Sequence, residues 1–275
     1  KIKLEAWLSD NKHADMAWMK KRKKERGDIR EYFNNAKSII SVGLNYNTGY
    51  KQKDINSKYK FSNYAWGDDY HDIVKSKLYK LLKWIKEYKI TVKGIVCSDT
   101  SPVMEKVWSQ RAGLGWLGKH TNLITKDYGS WIFLGELILD IELEYDDIFE
   151  EDLCGTCTAC IDSCPTNALD EYQINAGKCI SYLNIEYRGD FNDENENLHG
   201  WIYGCDICQN VCPWNSKFSK ITDEISFKPK KEILEWTNEE WQNLDENTFR
   251  KLFKGSSVKR TKYAGLKRNI KGNSK

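Results

Sequence analysis

The sequence is poor in the features that mark a membrane protein, a disulfide scaffold or a mononuclear metal site. No apolar run approaches the ~20 residues needed to cross a bilayer, and no charged-then-apolar leader opens the chain, so the expectation is a cytoplasmic protein with no membrane partner. Its four histidines, His13, His71, His120 and His199, show no metal-ligand spacing. Nine cysteines in 275 residues are too few for a disulfide framework, which is the resort of small secreted chains. A starting methionine is missing as well; the chain opens inside a helix-like stretch (residues 3–7), which reads as a native N-terminus lying further upstream. At roughly 100–200 residues per domain, the length suits one large domain and a small one.

Eight of the nine cysteines fall between Cys154 and Cys212. Clustering of that kind points to metal binding in a reducing compartment. Cys97 stands apart and reads as a small buried hydrophobe. Net charge is only +3 but is unevenly spread. Residues 20–26 are nearly all basic, residues 250–275 carry ten Lys/Arg and no acid, and residues 140–152 carry eight Asp/Glu and no base. Such runs are commonly solvated faces; with eleven Trp and fifteen Tyr they also suit a polyanionic partner.

The first 140 or so residues read as an α/β domain. Strands are expected at 38–44, 94–98 and 131–143, and a helix at 69–89, where Val74, Leu78, Leu81, Leu82 and Ile85 share a face. Asp99 follows the second strand directly, and Pro102 suits the first turn of a helix reaching about Ala112. At that position Asp99 reads either as a catalytic acid, where α/β sheets commonly place chemistry, or as a helix N-cap. The loop holding Gly113, Gly115 and Gly118 is no nucleotide fingerprint, because it follows a helix instead of opening one. The acidic stretch closes this unit. Boundaries fall at 1–145, 146–217 and 218–275, the last helical and basic, with helices around 231–236 and 239–253 and another within 174–185 that carries Cys179.

The first cysteine motif is Cys154-x-x-Cys157-x-x-Cys160-x-x-x-Cys164-Pro165, the spacing of the bacterial ferredoxin run in which three cysteines hold one cubane and the fourth reaches the other. The second, Cys205-x-x-Cys208-x-x-x-Cys212-Pro213, lacks one cysteine, and Cys179 completes it. The ligands then divide as Cys154, Cys157, Cys160 and Cys212 for one 4Fe–4S cluster and Cys164, Cys179, Cys205 and Cys208 for the other. Zinc sites instead want two pairs with a longer spacer and have no reason to place prolines after cysteines. Two adjacent clusters form an electron wire, which requires a donor and an acceptor.

Beyond the cysteines, several stretches resemble the epoxyqueuosine reductase family. They are Trp66-Gly-Asp-Asp-Tyr-His71-Asp72, Asp99-Thr-Ser-Pro-Val-Met-Glu105, Arg111-Ala-Gly-Leu-Gly-Trp-Leu-Gly-Lys119-His-Thr-Asn122, Cys179-Ile-Ser-Tyr-Leu183 and Tyr203-Gly-Cys205-Asp-Ile-Cys208-Gln-Asn-Val-Cys212-Pro-Trp214. The basic Leu266-Lys-Arg-Asn269 fits too. The resemblance implies a nitroreductase-like cobalamin-binding domain (α+β/α/β) followed by a ferredoxin-like domain with two 4Fe–4S clusters. It implies reduction of the epoxide of epoxyqueuosine to the alkene of queuosine at the tRNA wobble base, with cobalamin between the near cluster and the substrate. It assigns the proton donor to Asp99 and cobalamin contacts to Arg26, Ser62, Asp99, Leu123 and Leu134. Burial against the corrin is expected to raise the Asp99 pKa and keep it protonated. His71 reads as a hydrogen-bonded structural residue, since Val74 stands where a cobalt-ligating histidine motif needs Gly. The partners are then tRNA, held through Lys259, Arg260, Lys267 and Arg268 of the basic tail, and an electron donor.

Two other readings compete. A corrinoid reductive dehalogenase shares the cofactors, but that class uses a tyrosine as proton donor, which Asp99 and the basic tail argue against. A ferredoxin-type electron carrier needs far fewer residues and leaves residues 1–140 without a purpose.

Overall fold

The computed structural model describes residues 2–191 and 197–273. Its first half is built on a three-stranded sheet with Ile132–Leu139 in the centre, flanked by Ser38–Asn45 and Gly94–Cys97. Ile, Val and Leu dominate these strands, as suits a pleated surface covered on both faces. Both pairings are antiparallel. Of the two classes expected, α+β and α/β, this sheet is the antiparallel α+β arrangement, in which no strand-to-strand crossover helix is required.

One face of the sheet carries the helix Tyr70–Tyr88, capped by Asp69, whose carboxylate accepts a hydrogen bond from the His71 amide. Val74, Leu78 and Leu82 are its buried stripe. The helix approaches so closely that a Cβ on Gly135 would stand 2.6 Å from Val74 Cγ1, so only glycine fits there. The other face is covered by the helix Glu105–Arg111 together with Ile29 and Val103. This helix starts later than the sequence suggested. Asp99 adopts a left-handed backbone, φ +55°, which a right-handed helix cannot include. Pro102 therefore lies in the loop, Met104 precedes the first turn, and Asp99 is not a helix cap.

The cluster region is made of short helices, Ala159–Asp162, Ile180–Ile185, Ile207–Asn210 and Pro213–Lys217. Cys179 is not inside a helix but at the N-cap of Ile180–Ile185. Side-chain bonds fasten this region to the sheet: Asn215 accepts from the Ser130 amide at 2.6 Å and donates to Ser130 Oγ and the Gln209 carbonyl at 2.8 Å each.

The expected helix at 239–253 is two, Asn238–Gln242 and Glu246–Leu252. Asp245 caps the second by accepting from the Thr248 amide, and that change of direction breaks the run. The basic segment is built into the body: Trp241, Phe249, Phe253, Val258, Leu266 and Ile270 share one core with Tyr59, Phe61, Trp66 and Tyr203. Residues 274 and 275, the last of the basic run, lie outside the described residues.

Candidate active site

A cavity of about 1360 Å³ opens between the sheet, the short N-terminal helices and the cysteine region. Ordinary small-molecule pockets hold roughly 300–1,000 Å³, so this one suits an unusually large ligand or a ligand together with a substrate. Cys164, Cys179, Cys205 and Cys208 line one wall, while Cys154, Cys157, Cys160 and Cys212 do not. The same division shows in the electrostatics. Burial and the neighbours Cys154, Cys212 and Cys157 push the Cys160 thiol up to about 11. Burial also raises Cys179, with Cys164 beside it, and Cys205, with Cys208 and Cys179 beside it. Cys208 neighbours Cys160 as well, so the two groups of four lie next to each other. Thiols so placed ionise readily only against a positive partner, and bound iron supplies one. The donor set fits two cubanes, and the Ala168 amide donates to Cys164 Sγ at 3.4 Å, the kind of bond that tunes a cluster's potential.

The same cavity is lined by a linked acid–imidazole group. His71 Nδ1 lies 2.6 Å from Asp69 Oδ1, and His71 Nε2 lies 3.1 Å from Asp99 Oδ2. Burial pulls the imidazole pKa down, but hydrogen bonds to Asp69 and Asp99 overcome it and raise the value to about 9. Both ring nitrogens then carry protons near neutrality and donate to the two carboxylates. Burial pulls Asp99 upward, yet the His71 hydrogen bond and charge, with a further bond from Tyr70, hold it below the usual aspartate value. In this arrangement the proton resides on His71, and Asp99 is the ionised partner.

Arg26, Ser62, Asp99, Leu123 and Leu134 all line this cavity. Ser62 is fixed by donating to Asp206 Oδ1 at 2.5 Å, next to Cys205. Arg26 lies over the Trp18 ring at 5.3 Å. The four tail residues separate. Lys259 and Arg260 stand at the cavity, Arg260 paired with Glu186 through two bonds of 2.9 and 2.8 Å. Arg268 instead donates to the carbonyls of Leu183, Tyr187 and Gly189 and stacks 4.3 Å from the Phe191 ring. Lys267 donates to the Gln242 carbonyl at 2.6 Å.

Of two further side chains at the site, Lys106 was not singled out from the sequence and His120 stood within a quoted motif without a role. Lys106 donates to the Thr121 carbonyl and Asn122 Oδ1 at 2.9 Å each, and burial lowers its pKa. His120 is kept neutral, its pKa lowered to about 4 by burial and by Lys106. Asp69 and His71 stood in a quoted motif; the only further signal was their two-residue spacing, which places a carboxylate at an N-cap and an imidazole beside it.

Residues 153–215 match the model of a 4Fe-4S double cluster binding domain. With the sheet and cavity described above, fold and site define a double-cluster iron–sulfur oxidoreductase. Residues 26–100 match the model of epoxyqueuosine reductase QueG, DUF1730. Epoxyqueuosine reductases of Cellulophaga algicola and Synechocystis sp. are 45% and 42% identical over 98% of this chain, which spans 87% and 94% of their lengths. The structure of epoxyqueuosine reductase from Streptococcus thermophilus superposes with a TM-score of 0.83 at 28% identity, over 98% of this chain and 71% of that one. A crystal structure of epoxyqueuosine reductase with an epoxyqueuosine-modified tRNA-Tyr stem loop gives 0.79 at 30% identity, over 88% of this chain and 65% of that one. This chain belongs to the epoxyqueuosine reductase family.

Proposed function

We propose that the chain reduces the epoxide of epoxyqueuosine at the tRNA wobble base to the alkene of queuosine, with cobalamin in the large cavity and electrons arriving through two 4Fe–4S clusters. The observation that carries this reading is the placement of one complete cysteine quartet and the Asp69–His71–Asp99 group on the same cavity. In this reading residues 1–145 form the nitroreductase-like cobalamin and substrate domain, 146–217 the ferredoxin-like domain and 218–275 the basic tRNA contact. The known structure with a modified tRNA stem loop supports the substrate.

The cavity fits a tetrapyrrole-sized group: it exceeds the ordinary pocket volume, and Leu123, Ile132, Phe133 and Leu134 give it an apolar wall. Ser62, Leu123 and Leu134 would hold the ring, with Arg26 and Asp99 at its edge. Bound there, cobalamin supplies the low-potential reductant for the epoxide.

The chain's own contribution is the proton. Epoxide opening develops an alkoxide, a poor leaving group, and a positioned acid contributes roughly 10²–10⁴-fold to such a step. His71 stores the proton, Asp69 fixes the imidazole, and Asp99 relays the proton from His71 to the departing oxygen, which leaves His71 neutral until it is reprotonated. A structure of Bacillus subtilis epoxyqueuosine reductase with an aspartate-bearing catalytic loop swung out of the active site supports a catalytic role for the Asp99 loop. The wobble base turns out of its stack to enter the cavity, while Lys259 and Arg260 meet phosphates at its mouth. A separate electron donor recharges the clusters.

One anaerobic preparation tests the reading. Iron and sulfide should come to about eight each per chain, added cobalamin should bind and give a paramagnetic cobalt signal, and epoxyqueuosine in tRNA should be converted. A protein with both clusters intact that takes up no cobalamin contradicts it.

A further inference from the structure

Beneath the Asp99 turn lies a buried polar layer that the proposed chemistry does not use. Glu136 sits on the central strand, directly opposite Ser41 on one neighbour and Cys97 on the other. It is completely buried, and both its carboxyl oxygens lack a hydrogen-bond donor, as does Ser41 Oγ. Ser109 Oγ, one turn along the helix from Glu105, is buried and unpartnered too. The group within hydrogen-bonding reach of Glu136 is the carboxyl of Glu105. Two carboxylates are acceptors only, so they can bond to one another only with a proton between them. Glu105 Oε1 in turn accepts from the Asp99 backbone amide at 2.5 Å. Asp99 holds a left-handed φ of +55°, costly for a residue with a Cβ unless its surroundings enforce it.

We propose that Glu136 and Glu105 share one proton and together latch the Asp99 turn, with Glu136 a positioning residue that acts on the reaction through Glu105. A protonated Glu136 donates to Glu105, which stops the Glu105 side chain from swinging into the cavity and leaves its other oxygen for the Asp99 amide. The latch so formed keeps the Asp99 carboxylate within reach of His71. The charged and titratable groups facing the pair are Asp99 from the loop, Lys106 from the helix, Cys97 from the neighbouring strand and Tyr70 from the helix on the sheet's other face. Burial and the neighbouring Glu105 raise Glu136, and burial and the Asp99 charge raise Glu105, in keeping with one proton held between them.

The inference rests on Asp99 being the proton donor, but its first test does not need turnover. In the holoenzyme at about pH 8, infrared difference spectra should show a protonated carboxyl stretch that Glu136→Gln removes. Glu136→Gln keeps a permanent N–H donor toward Glu105 and should hold turnover within about threefold of wild type. Glu136→Leu removes the donor and should lose about tenfold to a hundredfold in turnover, the scale of a small misplacement. Its iron content should stay unchanged, which separates the loss from damage to the clusters. Absence of the carboxyl band from the wild-type protein overturns the latch. So does wild-type turnover in Glu136→Leu, or a Gln variant as damaged as the Leu variant. Should Glu136→Leu fail to fold, the band and the Gln variant decide. If Asp99→Asn keeps full turnover while the band is present, the shared proton stands and the reading of Asp99 as donor falls.

Discussion

At the scale of single residues, the site turns on where one proton sits. Asp99 is held ionised by His71, and His71 is held protonated by two carboxylates. Asp99→Asn keeps the shape and removes the charge, so clusters and cofactor should be retained while single-turnover rates fall by roughly 10²–10⁴-fold. Turnover should also decline as pH rises through about 9, where His71 loses its proton. In His71→Gln that alkaline limb should disappear along with most of the rate, and a pH profile of the two proteins checks both. Stability follows the same sign. The His71 pKa is raised above its usual 6.5, so its contribution is complete below about 6.5 and is lost as pH rises through about 9. Asp99 and Asp69 are lowered below the usual 3.8, so theirs is present above that value and lost as pH falls through their folded values.

Among elements, the cysteine region shows what spacing can and cannot convey. The ferredoxin run and the incomplete second motif divide the eight cysteines into two groups of four, and the four of one group lie together on the cavity wall. Cys179 was placed in its group by counting alone, and it stands at a helix N-cap on the cavity wall with Cys164, Cys205 and Cys208. Cys179→Ser should strip the iron of that quartet and leave the other cluster's signal in the reduced protein, readable by iron analysis and electron paramagnetic resonance. The strands and the helix Tyr70–Tyr88 were legible from their periodicity within a few residues. The start of the helix after Asp99 was not, since Pro102 favours a first turn while the left-handed Asp99 delays it, and only tertiary contacts such as the Glu105 bond reveal that. The sheet's antiparallel pairing was hidden as well, because strand patterns carry no direction. Equally hidden was the Asp69–His71–Asp99 link, which joins residues from either end of a helix–strand unit. Basic composition proved a blunt guide. Arg268 and Lys259 look alike in sequence, yet one ties three carbonyls and the other faces the cavity. Arg268→Ala should therefore lower stability by about 1–3 kcal/mol, as charged hydrogen bonds to three carbonyls are lost. Urea melts would show it, with little change in affinity for tRNA.

Over the whole molecule, positive charge gathers at the cavity mouth from opposite ends of the chain: Arg22 and Arg26 from one, Lys259 and Arg260 from the other. Phosphates neutralised there release counterions, so tRNA affinity should fall steeply with salt. The double variant Lys259→Gln, Arg260→Gln should weaken tRNA binding and reduce the logarithmic salt slope by about 1–2. Reduction of the clusters should be unaffected. Unchanged affinity and slope would show that tRNA docks on another face.

The shared core described for the basic segment has a consequence for how the protein comes into being. Tyr59, Phe61 and Trp66, which flank Ser62 at the cavity, are covered by side chains from Trp241 to Ile270. A ribosome delivers the first group long before the second, so the N-terminal part must wait with those aromatics exposed until nearly all of the described chain has emerged. Contacts of such long sequence separation form slowly. The cavity wall around Ser62 is therefore completed only after the helix Lys262–Gly272 has emerged, and a ligand of that cavity would enter after that point.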